Sequence, residues 1–166
     1  WDFDKNLDQV TGIPNHRCLV GYRENIEKET LQSNRRTFFF SIYLKNLLRL
    51  YEDNGTILGD QLLKQVVSML SKVVPSPKFL FKYSDACFLI ILLNLNRQDI
   101  IVLETKLKHV FDKTPFFVEG RSMLLEVDIG VSVFPEDGND FRELTGLSWA
   151  RASQKLDTTH DQKLAE

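Results

Sequence analysis

The sequence predicts an α+β protein in which helices pack on a mostly antiparallel sheet. Three observations lead there. Amphipathic stretches of helical period alternate with apolar, β-rich runs. Two pairs of those runs lie close enough together to be hairpins. The resulting order is helix, strand, helix, hairpin, helix, hairpin, helix, which places antiparallel pairs between helices.

Each element has its own signal. Gly12-Ile13-Pro14-Asn15 reads as a turn with Asn15 as N-cap, and residues 16–32 follow as a helix with Leu19, Tyr22, Ile26 and Leu31 near helical spacing. Arg35 and Arg36 are expected in a solvated turn, phosphate binding being the alternative, before Thr37–Leu44, a β-rich run without alternation, as expected of a central strand covered on both faces; Phe38, Phe39 and Phe40 are expected in the core. A second helix carries Leu62, Leu63, Val66, Val67, Leu70 and Val74 on one face and stops at Pro75. The runs Phe79–Tyr83 and Ala86–Leu93 are separated by Ser84-Asp85, a hairpin spacing in which Asp85 would tolerate positive φ. Phe79 and Phe81, near Pro75 and Pro77, are expected to face the core, an exposed aromatic patch being the alternative. A third helix, about 97–112, buries Ile100, Leu103, Leu107 and Val110 or Phe111. Pro115–Val118 and Met123–Phe134 form a second hairpin about Glu119-Gly120. Its later strand alternates Met123, Leu125, Val127, Ile129, Val131 and Val133 with polar residues. A last helix spans about 140–158, before a polar tail.

The length suits one domain, residues 1–166, with an apolar fraction of 43% and twelve Phe to build its core. A net charge of −2 gives no basis for a nucleic-acid or anionic-membrane partner. The run from Phe79 to Leu95 is the nearest to a membrane span, but Lys82, Ser84, Asp85 and Asn94 interrupt it. The chain opens Trp1-Asp2-Phe3-Asp4, without Met or signal peptide, as expected of a piece of a longer protein. Cys18 and Cys87 have no metal-ligand spacing and fit a reducing cytoplasm, with Cys87 as a buried thiol. His16, His109 and His160 are too scattered to form a metal site and are expected at the surface.

Four segments resemble the GGDEF family of diguanylate cyclases. Asp8-Gln9-Val10-Thr11-Gly12-Ile13-Pro14-Asn15-His16-Arg17 is similar to the family's D-x-L-T-G-L-P-N-R-R, and Asp53-Asn54-Gly55-Thr56-Ile57-Leu58-Gly59-Asp60-Gln61-Leu62-Leu63 to D-x-x-G-H-x-x-G-D-x-L-L. Tyr83-Ser84-Asp85-Ala86-Cys87-Phe88 falls where the R-Y-G-G-D-E-F hairpin belongs. Val127–Ser132 with Pro135–Gly138 is similar to V-S-I-G-V-A followed by P-x-D-G. Together, in this order and spacing, they cover nearly the whole chain. The resemblance implies a palm-type, nucleotidyl-cyclase-like, five-stranded, mostly antiparallel sheet with helices on both faces.

The family joins two GTP molecules into cyclic di-GMP. Each chain of a dimer presents one GTP, and divalent cations held by carboxylates offset the phosphate charge. The resemblance places those roles on altered residues here. The first-strand Asp-x-Asp pattern falls on Tyr43-Leu44-Lys45, and an ammonium at Lys45 repels Mg²⁺. The signature carboxylates fall on Ala86 and Cys87. The two glycines that admit close backbone approach fall on Ser84 and Asp85. The guanine-reading Asn falls on Tyr51 and the triphosphate-binding Lys on His160. Only Asp60, matching a guanine-contacting Asp, is retained, and it also fits a cap or charge at the start of the second helix. Asp85 would replace a lost carboxylate only by a register slip that turns the next strand over, which is not expected. The product-inhibition motif R-x-x-D falls on Pro75-Ser76-Pro77-Lys78, so cyclic di-GMP binding there is not expected.

The expectation is therefore a degenerate domain that is not an enzyme and holds neither catalytic residues, cofactor nor metal. Tyr43 and Tyr51 are expected to fill the former cleft. The domain would serve protein partners or attached signalling domains in the bacterial cytoplasm, with homodimerisation left open. The alternative is a receptor that binds GTP or cyclic di-GMP without turnover.

Overall fold

The computed structural model describes residues 3–33, 35–75 and 78–165, with the side chains of the last helix as far as Ser153. After a 3-10 turn at Phe3–Asn6 come α1 (His16–Ser33), β1 (Thr37–Leu44), α2 (Leu47–Asn54), α3 (Thr56–Val73), β2 (Lys78–Ser84), β3 (Cys87–Leu93), α4 (Arg97–Lys113), β4 (Phe116–Val118), β5 (Arg121–Met123), β6 (Val127–Phe134) and α5 (Phe141–Ala165). The main sheet has four strands in the order β2-β3-β1-β6, every pair antiparallel, and β4-β5 is a separate two-stranded hairpin.

The fold class is the expected α+β, but the five-stranded count and the continuous strand from Met123 to Phe134 are both corrected. The chain leaves the strand conformation at Leu124–Glu126. The Asn46 amide donates to the Leu124 carbonyl at 2.8 Å, and its oxygen accepts from the Glu126 N–H at 2.9 Å. One side chain thus satisfies the backbone where the small hairpin ends and β6 enters the sheet.

The sheet separates two apolar layers. Phe38, Phe40 and Ile42 of β1 pack with α3 (Leu62, Val66, Leu70) and α4 (Leu103, Leu107). Phe39 packs on the other side with Ile26 of α1 and Phe141 and Leu144 of α5. β1 lies between β3 and β6 and is buried almost throughout, so it shows no alternation in sequence. Phe81 is buried, and Phe79 lies half-buried with its ring 6.0 Å from Tyr22, so the core expectation holds over the exposed patch.

Local corrections follow from geometry. Asn15 does begin α1, its oxygen accepting from Arg17 and Cys18 N–H. The inner face of α1 is Cys18, Ile26 and Thr30, whereas Leu31 is 71% exposed. The β2–β3 turn is Asp85-Ala86, with Ser84 still in the strand after a bulge. Among the described residues the non-glycine positive φ angles fall at Asn94 and Glu119, not at Asp85. Glu119 (φ 49) and Gly120 (φ 78) make the two-residue turn of the small hairpin. Helix α2, only eight residues long, has no counterpart in the order expected from sequence.

Candidate nucleotide cleft

The positions matched to the family's active site gather around the C-terminal end of β1 but divide between the two faces of the sheet. Tyr43 stands opposite Cys87 in β3 and Asp128 in β6. By strand alternation it shares the face of Phe39, whose ring meets Phe141 at 5.1 Å, and of Ser41, whose hydroxyl meets that of Ser148 at 2.8 Å. That is the α5 side. Tyr51 packs with the layer on the other side. The two phenols therefore lie in different layers rather than filling one space together.

Tyr51 reaches across the turn between α2 and α3. Its hydroxyl donates to Asp60 Oδ1 at 2.6 Å. Its ring lies so close over Gly59 that a Cβ there would come 2.5 Å from Cε1 and 2.6 Å from Cδ1. Burial and the bond to Asp60, with the further charges of Asp60, Asp8 and Asp85, raise the phenol's pKa and keep it neutral. Asp60 is not the cap considered for it, because α3 starts at Thr56 with Gly55 at its N-cap. Its carboxylate instead accepts the phenol that stands at the guanine-reading position.

Lys45 follows β1 directly, its N–H donating to Glu126 O at 2.8 Å. Its ammonium lies 3.6 Å from Asp128 Oδ2, a buried oxygen with no hydrogen bond. Asp128 was not singled out from sequence; the signal was a carboxylate at the second position of Val127–Ser132, where the family motif carries Ser. The hairpin turn is tied to β1 by Leu44 N–H to Ala86 O at 2.8 Å. Ser84 and Asp85 are exposed, and Ala86 packs against the core. Cys87 is fully buried, which pushes its thiol up to about 12.

These residues do not fit a divalent cation. A hydroxyl-bearing ring, an ammonium, a methyl and a neutral thiol stand where hard oxygen anions are needed. Among the described residues no group of three or more His, Cys, Asp or Glu is placed to hold a metal ion. His16 and His109 are exposed and apart, and the side chain of His160 lies outside the described residues. Ser76 and Pro77 of the product-inhibition window also lie outside them. Lys78 in that window is engaged at the end of α3, donating to the Ser71 and Val74 carbonyls.

An antiparallel α+β domain with a hairpin at the end of its central strand is the architecture of a nucleotide-cyclising palm. The comparisons agree. The family described as diguanylate cyclase, GGDEF domain, matches residues 5–160, and the chain belongs to it. It is 30% identical over 141 residues to the signaling protein YkoW of Bacillus subtilis, covering 84% of this chain and 18% of that protein. It is 24% identical over 152 residues to the diguanylate cyclase DgcP of Pseudomonas aeruginosa, covering 90% of this chain and 22% of that protein. The chain thus spans about a fifth of the length of these curated relatives. In structure it is similar to a sensory box/GGDEF family protein from Caulobacter crescentus, with a TM-score of 0.81, 19% identity, and coverage of 92% of this chain and 99% of that one. The FimX GGDEF domain of Pseudomonas aeruginosa gives a TM-score of 0.79 at 18% identity over 90% of this chain and 92% of that one.

Proposed function

We propose that this GGDEF domain makes no cyclic di-GMP and acts in cyclic di-GMP signalling as a regulatory or protein-interaction module on the cytoplasmic side. The observation that carries the proposal is the internal pairing of the cleft. Tyr51 occupies Asp60, the retained guanine-contacting position, and covers Gly59. Lys45, at a metal-carboxylate position, faces Asp128. In each pair the carboxylate already faces a donor or cation of this chain, and the pair must be broken before its groups can serve GTP or Mg²⁺. Among the described residues no helix is long and apolar enough to cross a membrane.

The test is incubation of the purified chain with GTP and Mg²⁺ or Mn²⁺, followed by chromatography. No product above a protein-free control is expected. Cyclic di-GMP that disappears in Asp60→Ala would overturn the proposal.

The receptor alternative rests on Lys45, a cation that could neutralise phosphate without metal. Its pairing with Asp128 weighs against that role. Calorimetry with GTP and with cyclic di-GMP separates the two: a Kd below about 10 µM that is lost in Lys45→Ala favours the receptor. No heat in the native chain, with binding gained in Tyr51→Ala, favours the occupied cleft.

A further inference from the structure

The turn between α2 and α3 holds the sequence's one Asn-Gly pair, Asn54-Gly55. Asparagine followed by glycine is the dipeptide most open to spontaneous deamidation. Glycine has no Cβ to hinder its backbone nitrogen when that nitrogen turns onto the asparagine side chain. The surroundings add no hindrance here. Gly55 is exposed and Asn54 half-buried, and nothing lies within 4 Å of the place a Cβ of Gly55 would take. Water therefore reaches the pair.

Three hydrogen bonds guard it. The Gly55 N–H donates to the Tyr51 carbonyl at 2.8 Å, which engages the attacking nitrogen. Asn54 Nδ2 donates to the Leu50 carbonyl at 2.9 Å, and its Oδ1 accepts from Arg121 of β5 at 3.3 Å. These two hold the side-chain amide that the nitrogen must reach. The guard is shallow, because Arg121 is exposed and its bond is long. The last turn of a helix that ends at the surface opens locally without global unfolding.

We propose that Asn54 is a site of spontaneous covalent modification, converted to aspartate and isoaspartate at a rate set by opening of the α2–α3 turn, and that conversion parts Tyr51 from Asp60. On opening, the Gly55 nitrogen gives its proton to water or hydroxide and bonds to Asn54 Cγ. The Cγ–Nδ2 bond breaks, Nδ2 takes up a proton, and ammonia leaves behind a five-membered succinimide. Water then adds to one of the two ring carbonyls. Breaking the Cγ–N bond gives aspartate. Breaking the original peptide bond gives isoaspartate, whose main chain runs through Cβ and Cγ. No redox partner is involved. Both products lose the donor to Leu50 and place an anion at a helix C-terminus, which the helix dipole disfavours. Isoaspartate also adds one atom to the main chain between Tyr51 and Gly59, whose present contact leaves no room for a Cβ. None of this depends on whether the cleft turns over GTP.

The experiment incubates the folded and the urea-unfolded chain at mildly alkaline pH and follows the tryptic peptide Leu50–Lys64 by mass spectrometry. Conversion at Asn54 is expected in the folded chain, about tenfold to a hundredfold more slowly than in urea. Arg121→Gln, which removes one exposed hydrogen bond, should speed the folded reaction about threefold to tenfold and leave the urea rate within about twofold. In ¹H–¹⁵N spectra of the converted fraction the Gly59 and Asp60 amides should move, and Asn54→Gln should abolish that slow change. Equal rates in folded and unfolded chains, no conversion in the folded chain, a folded rate indifferent to Arg121→Gln, or unmoved Gly59 and Asp60 amides after conversion would each overturn the proposal.

Discussion

The contact between Tyr51 and Gly59 yields a sign-reversing double-mutant cycle. In an ordinary helix interior, Gly→Ala stabilises by about 0.8–1 kcal/mol. At Gly59 the new methyl would stand 2.5–2.8 Å from three carbons of the Tyr51 ring, closer than nonbonded atoms allow. Overpacking of that kind costs about 1–3 kcal/mol. If the ring swings out instead, the 2.6 Å bond to Asp60 breaks, which costs about 1 kcal/mol for a half-buried hydrogen bond from a neutral phenol to a carboxylate. Gly59→Ala should therefore lower stability by about 1 kcal/mol in the native chain, which is a fall in Tm of about 2–4 °C at this size. In a Tyr51→Ala background the same substitution should raise stability by about 1 kcal/mol, a coupling of about 2 kcal/mol. Urea unfolding of the four proteins measures it. Equal effects of Gly59→Ala in both backgrounds, within about 0.5 kcal/mol, would refute the claim that Tyr51 sits on α3 and closes the cleft.

Gly130→Ala should be far worse than Gly59→Ala, because its Cβ would come 2.0 Å from Ser148 O and 2.3 Å from Ala152 N, backbone atoms of α5 that cannot step aside; a loss above about 3 kcal/mol, or no soluble folded protein, is expected. Cys87, with its thiol pushed up to about 12 by burial, should react with a thiol reagent at pH 8 on the order of 10³-fold more slowly in the folded than in the urea-unfolded chain, counted by absorbance. Asp137 is held below the usual carboxylate range by its hydrogen bonds from Arg151, at 2.9 and 3.0 Å. Its contribution should be complete above about pH 4 and lost as pH falls through its depressed folded value, so acid unfolding of Arg151→Met should show a shallower loss below pH 4. Lys45→Met should destabilise by about 1 kcal/mol, with Asp128→Asn restoring part of the loss, because an unpaired buried carboxylate oxygen is the cause.

Much of this protein was legible in its sequence because it rests on local physics. The cap at Asn15, the breaker at Pro75, the hairpin turn at Glu119-Gly120 and the apolar stripes of α3 and α4 are set by residues within a few positions of one another. Which side chains stand at the family's motif positions was legible too, since it is a matter of spacing along the chain. Contacts between distant segments were not. Asn46 ends the hairpin strand from 78 positions away, and Asp128 becomes the partner of Lys45 only because β6 lies beside β1. The separation of Tyr43 from Tyr51 depends on strand facing, which one-dimensional spacing does not carry. The ring of Tyr51 over Gly59 needed the α2–α3 turn. Sequence periodicity reports which residues prefer burial; which burial partners meet is decided by chain crossing and register, which only the assembled sheet fixes.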